Sequence, residues 1–521
     1  MKPQTYESLL EQHFGYSTFR EGQKEIIHDV LDGNDVLGIL PTGTGKSLCY
    51  QFPAVLMEGT VLIISPLISL MIDQVKQLKQ QGYKKVTAIN SFLNVEQKRE
   101  IFRNLDSYKL IYCSPEMLQN PQFLGELSNK VNVSLFVVDE AHCISQWGHE
   151  FRPDYLKLDD TLQQLGNPTL LALSATAPKN VQDDIMEQLG RTHMKKHIYP
   201  MDRENIAFSV EHVSHMSEKI ERMKEILTSH PVPTMVYFSS RQWSEKAAYE
   251  LSQSLQHLRI AFYHGGMDQE DRLLIQQQFM NDQLDVICCT SAFGMGVNKS
   301  NIRLVIHAHL PSQLESFIQE VGRAGRDGKQ SVSLTFYSPG DSEIPKAFIE
   351  GELPNEEILH STITFLYQWG HLKGNHVKSD EEMESMLEIG EIHWRFLRYQ
   401  FEKHGMIEQT NIIYDKNRWK HAYEEIKRFI QERTNIKHRK LDELVHWLHQ
   451  EDCLRKSLYQ PFQHSLKSPT GFCCDRCDFQ FNRWEVDKRQ YVKQVSSWME
   501  ELKQICLQGE PYEMDKPGRT N

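Results

Sequence analysis

Short runs of β-branched and aliphatic residues alternate with polar, helix-length stretches through the first two-thirds of the chain. Residues 35–40, 60–65, 109–113, 134–139 and 169–174 are apolar at consecutive positions rather than at every second one. Strands of that kind are buried on both faces, and with helices between them they predict a parallel sheet covered on both sides. The rhythm pauses at 199–205, where Pro200 and a charged cluster suggest a linker. It restarts with 234–238, 259–263, 284–290, 303–307 and 332–337. Two successive α/β domains with a cleft between them are expected, over 1–203 and 204–345.

After Pro339 the pattern changes. Residues 355–368, 381–387 and 392–404 read as helices, followed by short apolar runs at 406–409 and 412–414 around the polar pair Thr410 and Asn411. Three helices and a hairpin describe a winged-helix unit, and a helical spacer is the alternative. The next helix, 416–440, holds nine Lys/Arg against three Glu, which suggests a phosphate-contacting surface. This insertion is assigned to 346–440, a cysteine-bearing module to 441–480, and a helix with a loose polar tail to 481–521. The helical pattern there covers 479–507.

Composition narrows the classes. The chain has 521 residues, 40% apolar and 25% charged, which is globular usage for several domains. It has no run of eighteen apolar residues, and its first ten residues carry neither a basic nor an apolar leader region, so neither membrane spanning nor secretion is expected. A net charge of −12 disfavours coating nucleic acid by bulk attraction but permits a local basic groove. Of ten cysteines, six are scattered through apolar segments, and Cys453, Cys473, Cys474 and Cys477 cluster. That pattern fits a reducing compartment and one metal site.

Residues 35–47 run from a strand through Pro-Thr-Gly-Thr-Gly-Lys-Ser into a helix. Gly43 and Gly45, alternating with Thr42 and Thr44, let successive N–H groups face phosphate oxygens, and the helix adds its positive end. Lys46 can neutralise the β/γ-phosphates and the Ser47 hydroxyl can hold Mg²⁺. Leu40 stands where the strict pattern wants glycine, so the match is to a looser form. The run 135–142 ends in Asp-Glu-Ala-His, an apolar strand delivering two carboxylates at its C-terminal end. Asp139 is then the Mg²⁺-side carboxylate, Glu140 positions and deprotonates the attacking water, and His142 is a coupling hydrogen-bonder. Together these residues bind and hydrolyse a nucleoside triphosphate.

The order of motifs resembles that of superfamily 2 helicases, specifically the RecQ family of DNA helicases, densely from about 14 to 340 and again over 441–477. Phe-Gly-Tyr-Ser-Thr-Phe-Arg-Glu-Gly-Gln, 14–23, resembles the family's adenine-reading segment. The resemblance assigns Tyr16 to stacking and Arg20 and Gln23 to the base edge. Ser65-Pro66 with Asp73 and Gln74 looks like motif Ia, which touches the DNA backbone, and Ser-Ala-Thr at 174–176 is similar to motif III. Residues 141–155 resemble the aromatic-rich loop that sets this family apart. There Trp147 and Phe151 offer flat faces for unstacked bases, Arg152 a phosphate or stacking contact, and Gln146 a messenger to Glu140. In the second domain 263–267 and 285–298 resemble motifs IVa and V, and 319–328 motif VI. Arg323 and Arg326, three apart on one helical face, can reach across the cleft, with Arg326 favoured as the arginine finger, worth ~10³–10⁵ in rate in related systems.

The resemblance implies two tandem RecA-like domains, then the helical or winged-helix-like insertion, then a small zinc module. The family carries four zinc-binding cysteines, and here Cys473 replaces a ligand at the position of Gly471, with His464 a weaker candidate. Only 44 residues follow Cys477, too few for the family's winged helix and terminal nucleic-acid-binding domain. Either the strand-separating wedge has moved into the insertion, around 406–414, or the enzyme unwinds poorly. The implied activity is ATP- and Mg²⁺-dependent 3′–5′ translocation on single-stranded DNA and unwinding of forked DNA, with the zinc structural. Expected further are a role in repair and recombination, a monomeric state, partners among single-stranded-DNA-binding and recombination proteins, and a cytoplasmic, nucleoid-associated location. An RNA helicase and an inactive scaffold are the alternatives. The aromatic loop and cysteine module oppose the first, and intact Lys46, Glu140 and Arg326 oppose the second.

Overall fold

The computed structural model describes residues 5–90, 93–146, 152–294, 299–372, 375–463 and 465–486. The first domain holds β1 (Val36–Ile39), β2 (Thr60–Ile64), β3 (Val86–Ile89), β4 (Leu110–Cys113), β5 (Val133–Val138), β6 (Thr169–Ser174) and β7 (Lys195–Ile198). All pair in parallel, in the order β3-β4-β2-β5-β6-β1-β7. The second domain holds β8 (Ile206–His212), β9 (Thr234–Tyr237), β10 (Ile260–Tyr263), β11 (Val286–Cys289), β12 (Leu304–His307) and β13 (Ser331–Tyr337), again parallel, in the order β10-β11-β9-β12-β13-β8. The inner strands are buried along their length, as consecutive apolar residues require. The described residues contain no helix long and apolar enough to cross a membrane.

Beyond the sheets come helices Glu343–Glu352, Glu356–Leu372, Asp380–Leu387 and Glu391–Lys403, then a hairpin of β14 (Ile407–Glu408) and β15 (Asn411–Ile412). The hairpin turn is Gln409–Thr410, one residue earlier than the sequence suggests. A third segment sets that register: Val377 N donates to Thr410 O and Ile412 N to Asn375 O, both at 2.7 Å. Gln409 accordingly adopts a φ of 58°. The unit closes over Leu359, Trp394, Phe401, Met406 and Ile412 as a small core of its own.

The basic helix does not stop at Lys440 but runs unbroken over Lys416–Leu448. Leu441, Leu444, Trp447 and Leu448 continue its buried stripe, so nothing ends it at the expected module border. Three of its lysines are already paired with carboxylates: Lys427 with Glu356, Lys437 with Glu352, and Lys440 with Glu315. That part of the anticipated phosphate-contacting surface is neutralised within the fold. Of the expected helix over 479–507, the described part is a short 3₁₀ turn, Phe481–Arg483, and residues from 487 onward lie outside the described range.

Candidate functional site

β1 delivers the chain into the loop 41–47, and helix Leu48–Leu56 starts immediately after Ser47. Gly43 and Gly45 have φ of +85° and +78°, values that glycine adopts without the Cβ penalty. The segment before β1 braces this loop from outside. Gln23 Nε2 donates to the carbonyls of Thr44 (2.8 Å) and Gly45 (3.0 Å), Arg20 Nη1 donates to Gly43 O at 2.5 Å, and the Arg20 amide donates to Gln23 Oε1 at 2.9 Å. Tyr16, 53% exposed, stands at the rim with its ring open to a flat partner.

β5 ends in the acidic pair. Glu140 adopts a φ of 52°, a left-handed conformation that a non-glycine residue holds at a cost and that clusters at functional sites. Its carboxylate lies 3.5 Å from Lys46 Nζ and 3.5 Å from His142 Nδ1. Burial, reinforced by the charge of Glu140 and opposed by Lys46, raises the Asp139 pKa to about 7. Burial also works against charge on Glu140, but Lys46 and His142 outweigh it and lower its pKa. Asp139 thus titrates near neutrality while its neighbour Glu140 is held below the ordinary carboxylate range. His142 Nδ1 is 2.9 Å from Ser174 Oγ, which donates to Thr176 O at 3.1 Å, so the acidic box and the Ser-Ala-Thr segment share one hydrogen-bonded chain.

The facing wall comes from the second domain. Arg323 and Arg326 do not lie on a helical face: helix Leu314–Val321 ends at Gly322, and Gly325, at φ +55°, turns the chain out. Both guanidiniums still face the cleft, because Thr42 Oγ1 donates to Gly322 O at 2.9 Å and holds the turn against the loop. The Arg323 guanidinium donates to Gly294 O. Burial, with Arg323 and Arg203 as like-charged neighbours, pushes the Arg326 pKa down to about 9, a penalty that an arriving polyanion relieves. A single cavity of about 550 Å³ is lined by the phosphate loop, both carboxylates, both arginines and the Tyr16, Arg20 and Gln23 group.

Three residues expected to touch DNA are placed otherwise. Gln74, on helix Ile68–Gln80, lines the nucleotide cavity and accepts from Gln51 Nε2 at 3.1 Å, because the helix turns that face toward the phosphate loop. Arg152 is held bidentately by Glu116 at 2.6 and 2.7 Å and donates to Pro66 O, so its fork already has partners. Arg152 therefore braces the motif Ia turn. Ser65 is buried, its amide bonded to Cys113 O at 3.0 Å. Trp147 and Phe151 lie outside the described residues, as does His464; Gln146 ends helix His142–Gln146, whose approach is steadied by Arg433 donating to Ser145 O at 3.3 Å. Two features escaped the sequence reading: the linker arginine Arg203, and a buried ion pair between Asp202 and Arg455 at 2.7 Å.

The four cysteines meet at the edge of the second sheet. Cys453 and Cys473 sulfurs lie 3.6 Å apart, Cys474 and Cys477 3.5 Å, and Cys453 and Cys474 3.9 Å, with all four within 4.8 Å of one another. Zn–S bonds of ~2.3 Å put tetrahedral sulfurs ~3.8 Å apart, so the set fits zinc with both adjacent cysteines included. The module extends the sheet: Phe208 N donates to Cys473 O (3.1 Å) and Asp475 N to Phe208 O (2.9 Å).

A phosphate loop and acidic pair on one parallel sheet, closed by two arginines from a second, define a two-lobed nucleotide-driven motor of the helicase class. Residues 20–184 match the DEAD/DEAH box helicase family and residues 218–328 the helicase conserved C-terminal domain. The probable ATP-dependent DNA helicase RecS of Bacillus subtilis is 41% identical over 502 residues, 96% of this chain and 97% of that protein. The ATP-dependent DNA helicase RecQ of Haemophilus influenzae is 40% identical over 355 residues, 67% of this chain and 56% of that protein. The chain belongs to the RecQ family of superfamily 2 ATP-dependent DNA helicases. In fold it is similar to the helicase MrfA bound to DNA (TM-score 0.55, 20% identity, 66% of this chain and 52% of that one). It is likewise similar to Mss116p bound to single-stranded RNA and AMP-PNP (TM-score 0.55, 18% identity, 78% and 95%).

Proposed function

We propose that the protein translocates 3′ to 5′ along single-stranded DNA, unwinding duplexes and forks during repair and recombination, as a monomer in the cytoplasm at the nucleoid. The observation that carries the reading is the one cavity in which Lys46, Asp139, Glu140, Arg323 and Arg326 converge from two domains. Adenine stacks on Tyr16 while Arg20 and Gln23 exchange their loop carbonyls for its edge. The N–H groups from Thr42 to Gly45 and the Lys46 ammonium take the phosphates, and Ser47 and Asp139 hold Mg²⁺. Glu140, ionised beside Lys46, orients the water and receives its proton. Arg326, with Arg323, neutralises charge on the transferring phosphoryl group. Hydrolysis loosens the grip between the domains, and Pro66, Gln146, Trp147 and Phe151 step along the strand. Cys453, Cys473, Cys474 and Cys477 would hold a zinc ion, which would supply structural closure of the module. Partners among single-stranded-DNA-binding and recombination proteins follow from work at exposed strands.

Polarity is tested on duplexes with a 3′ or a 5′ single-stranded tail. The reading expects strand separation from the 3′-tailed substrate, and equal or exclusive use of the 5′ tail would refute it. The β14–β15 hairpin is proposed as the wedge, so deleting 409–412 should abolish unwinding while DNA-stimulated ATP hydrolysis survives; normal unwinding would refute that role.

A further inference from the structure

The linker joining the two sheets carries Arg203, which belongs to none of the motifs above. Its guanidinium lies between the lobes. Nη1 donates to the carbonyls of Thr42 (3.3 Å) and Gly322 (3.2 Å), and Nη2 to those of Ala324 (3.3 Å) and Gly325 (2.6 Å). Thr42 belongs to the phosphate loop, while 322–325 form the turn that carries Arg323 and leads to Arg326. A single planar fork therefore ties the main chains of both walls of the nucleotide cavity. Guanidinium suits this task, since it is always charged and presents five donors in a fixed plane.

The linker is itself locked on two sides. Asn205 Nδ2 donates to Gly325 O and Lys329 O, both at 2.8 Å, and fixes the arginine turn from below. On the other side Asp202 is paired with Arg455 of the cysteine module, and the Met201 amide donates to Gln463 Oε1 at 2.7 Å. Removing the Arg203 fork would leave two of its four acceptors satisfied. Gly322 O keeps Thr42 Oγ1, and Gly325 O keeps Asn205 Nδ2. For those two carbonyls the fork adds alignment between the walls, while to Thr42 O and Ala324 O it also supplies a hydrogen-bond donor.

We propose that Arg203 is a positioning residue for ATP hydrolysis: it sets the spacing between the phosphate loop and the arginine turn so that Arg326 meets the transferring phosphoryl group, with the cysteine module anchoring it through Asp202 and Arg455. The inference rests on the reading that this cavity hydrolyses ATP. Because Arg203 holds carbonyls and not the nucleotide, it acts on turnover rather than on ATP affinity.

The test is steady-state ATP hydrolysis by the full chain with saturating single-stranded DNA, for wild type, Arg203→Ala and Arg203→Lys, with melting temperatures measured alongside. A misplacement of about 1 Å can cost about a hundredfold in rate, so Arg203→Ala should lose about that factor in kcat while its KM for ATP stays within about threefold. Arg203→Lys keeps the charge but cannot span both walls, so it should recover less than about a tenth of the lost turnover. Arg203→Ala with wild-type kcat would overturn the proposal, as would a loss confined to KM. If the alanine variant melts early, the lysine variant decides, and full turnover by a well-folded Arg203→Lys overturns it. Wild-type protein without DNA-stimulated hydrolysis would sink the underlying reading instead.

Discussion

Replacing Arg455 by methionine removes a guanidinium from beneath the linker while keeping an apolar stem in the space of its methylenes. In the native fold Arg455 Nε and Nη2 meet Asp202 Oδ1 at 2.9 and 2.7 Å, and the two side chains are 2% and 0% exposed. Asp202 Oδ2 accepts the Lys467 amide at 3.0 Å, so the carboxylate remains fixed in place when its partner goes. A buried pair gains little over a well-packed apolar pair, but removing one partner leaves an uncompensated charge and costs about 3–5 kcal/mol. At about 2–4 °C per kcal/mol for a domain of 150–250 residues, melting should fall by roughly 6–20 °C. The dependence on pH has a definite sign. Burial already raises the Asp202 pKa, with Arg455 opposing, so Arg455→Met raises it further above the unfolded value. A carboxyl in that position costs stability when ionised, and the cost shrinks as pH falls through the folded pKa toward the unfolded one. Thermal melts followed by circular dichroism at pH 8 and pH 5 should therefore show a large deficit that narrows in acid. The double variant Asp202→Leu/Arg455→Met should melt closer to wild type than either single variant. A single variant that melts with wild type at pH 8, or a deficit that widens in acid, would refute the reasoning.

Metal analysis should find one zinc per chain, and stripping it with a chelator should lower the melting temperature by more than about 5 °C; absence of metal with unchanged melting would contradict the cysteine geometry. If Asp139 holds Mg²⁺ as proposed, the ion would compete with the proton that its raised pKa of about 7 keeps there, so the Mg²⁺ concentration for half-maximal ATP hydrolysis should rise about tenfold between pH 8 and pH 6, and a flat profile would count against Asp139 as a ligand. A Cβ on Gly322 would lie 2.2 Å from Thr42 Oγ1, so Gly322→Ala should hold the cleft open. ATP turnover should then fall about tenfold or more with melting unchanged, and wild-type turnover would argue against closure at this contact.

Much of the fold was legible because strands buried on both faces cannot disguise themselves. Residues 60–65, 134–139 and 169–174 became β2, β5 and β6 within one or two residues. What stayed hidden has physical causes. β7, Lys195–Ile198, is an edge strand with exposed lysines, and its one apolar residue, Ile198, is exposed and makes no run. β8 starts at Ile206, one residue after the linker, so its apolar run was masked by its charged neighbours. The long helix continued past Lys440 because a buried stripe, rather than charge, decides where a helix ends.

The site divides in the same way. The phosphate loop and the acidic box are local in sequence, set by spacing along one strand-to-helix turn, and could be read there. Gln74 and Arg152 were assigned by position within motifs, but a motif does not state which way a side chain faces or what else claims it. Arg203 and the Asp202–Arg455 pair depend on contacts more than a hundred residues apart, and only the folded chain brings them together.

The central claim is that cleavage of ATP between two lobes is coupled to DNA. It is tested most directly by steady-state ATP hydrolysis with single-stranded DNA titrated in, comparing wild type with Lys46→Ala. The account predicts strong stimulation of the wild type by DNA and no measurable hydrolysis by the variant. Hydrolysis indifferent to DNA, or full activity in Lys46→Ala, would contradict it.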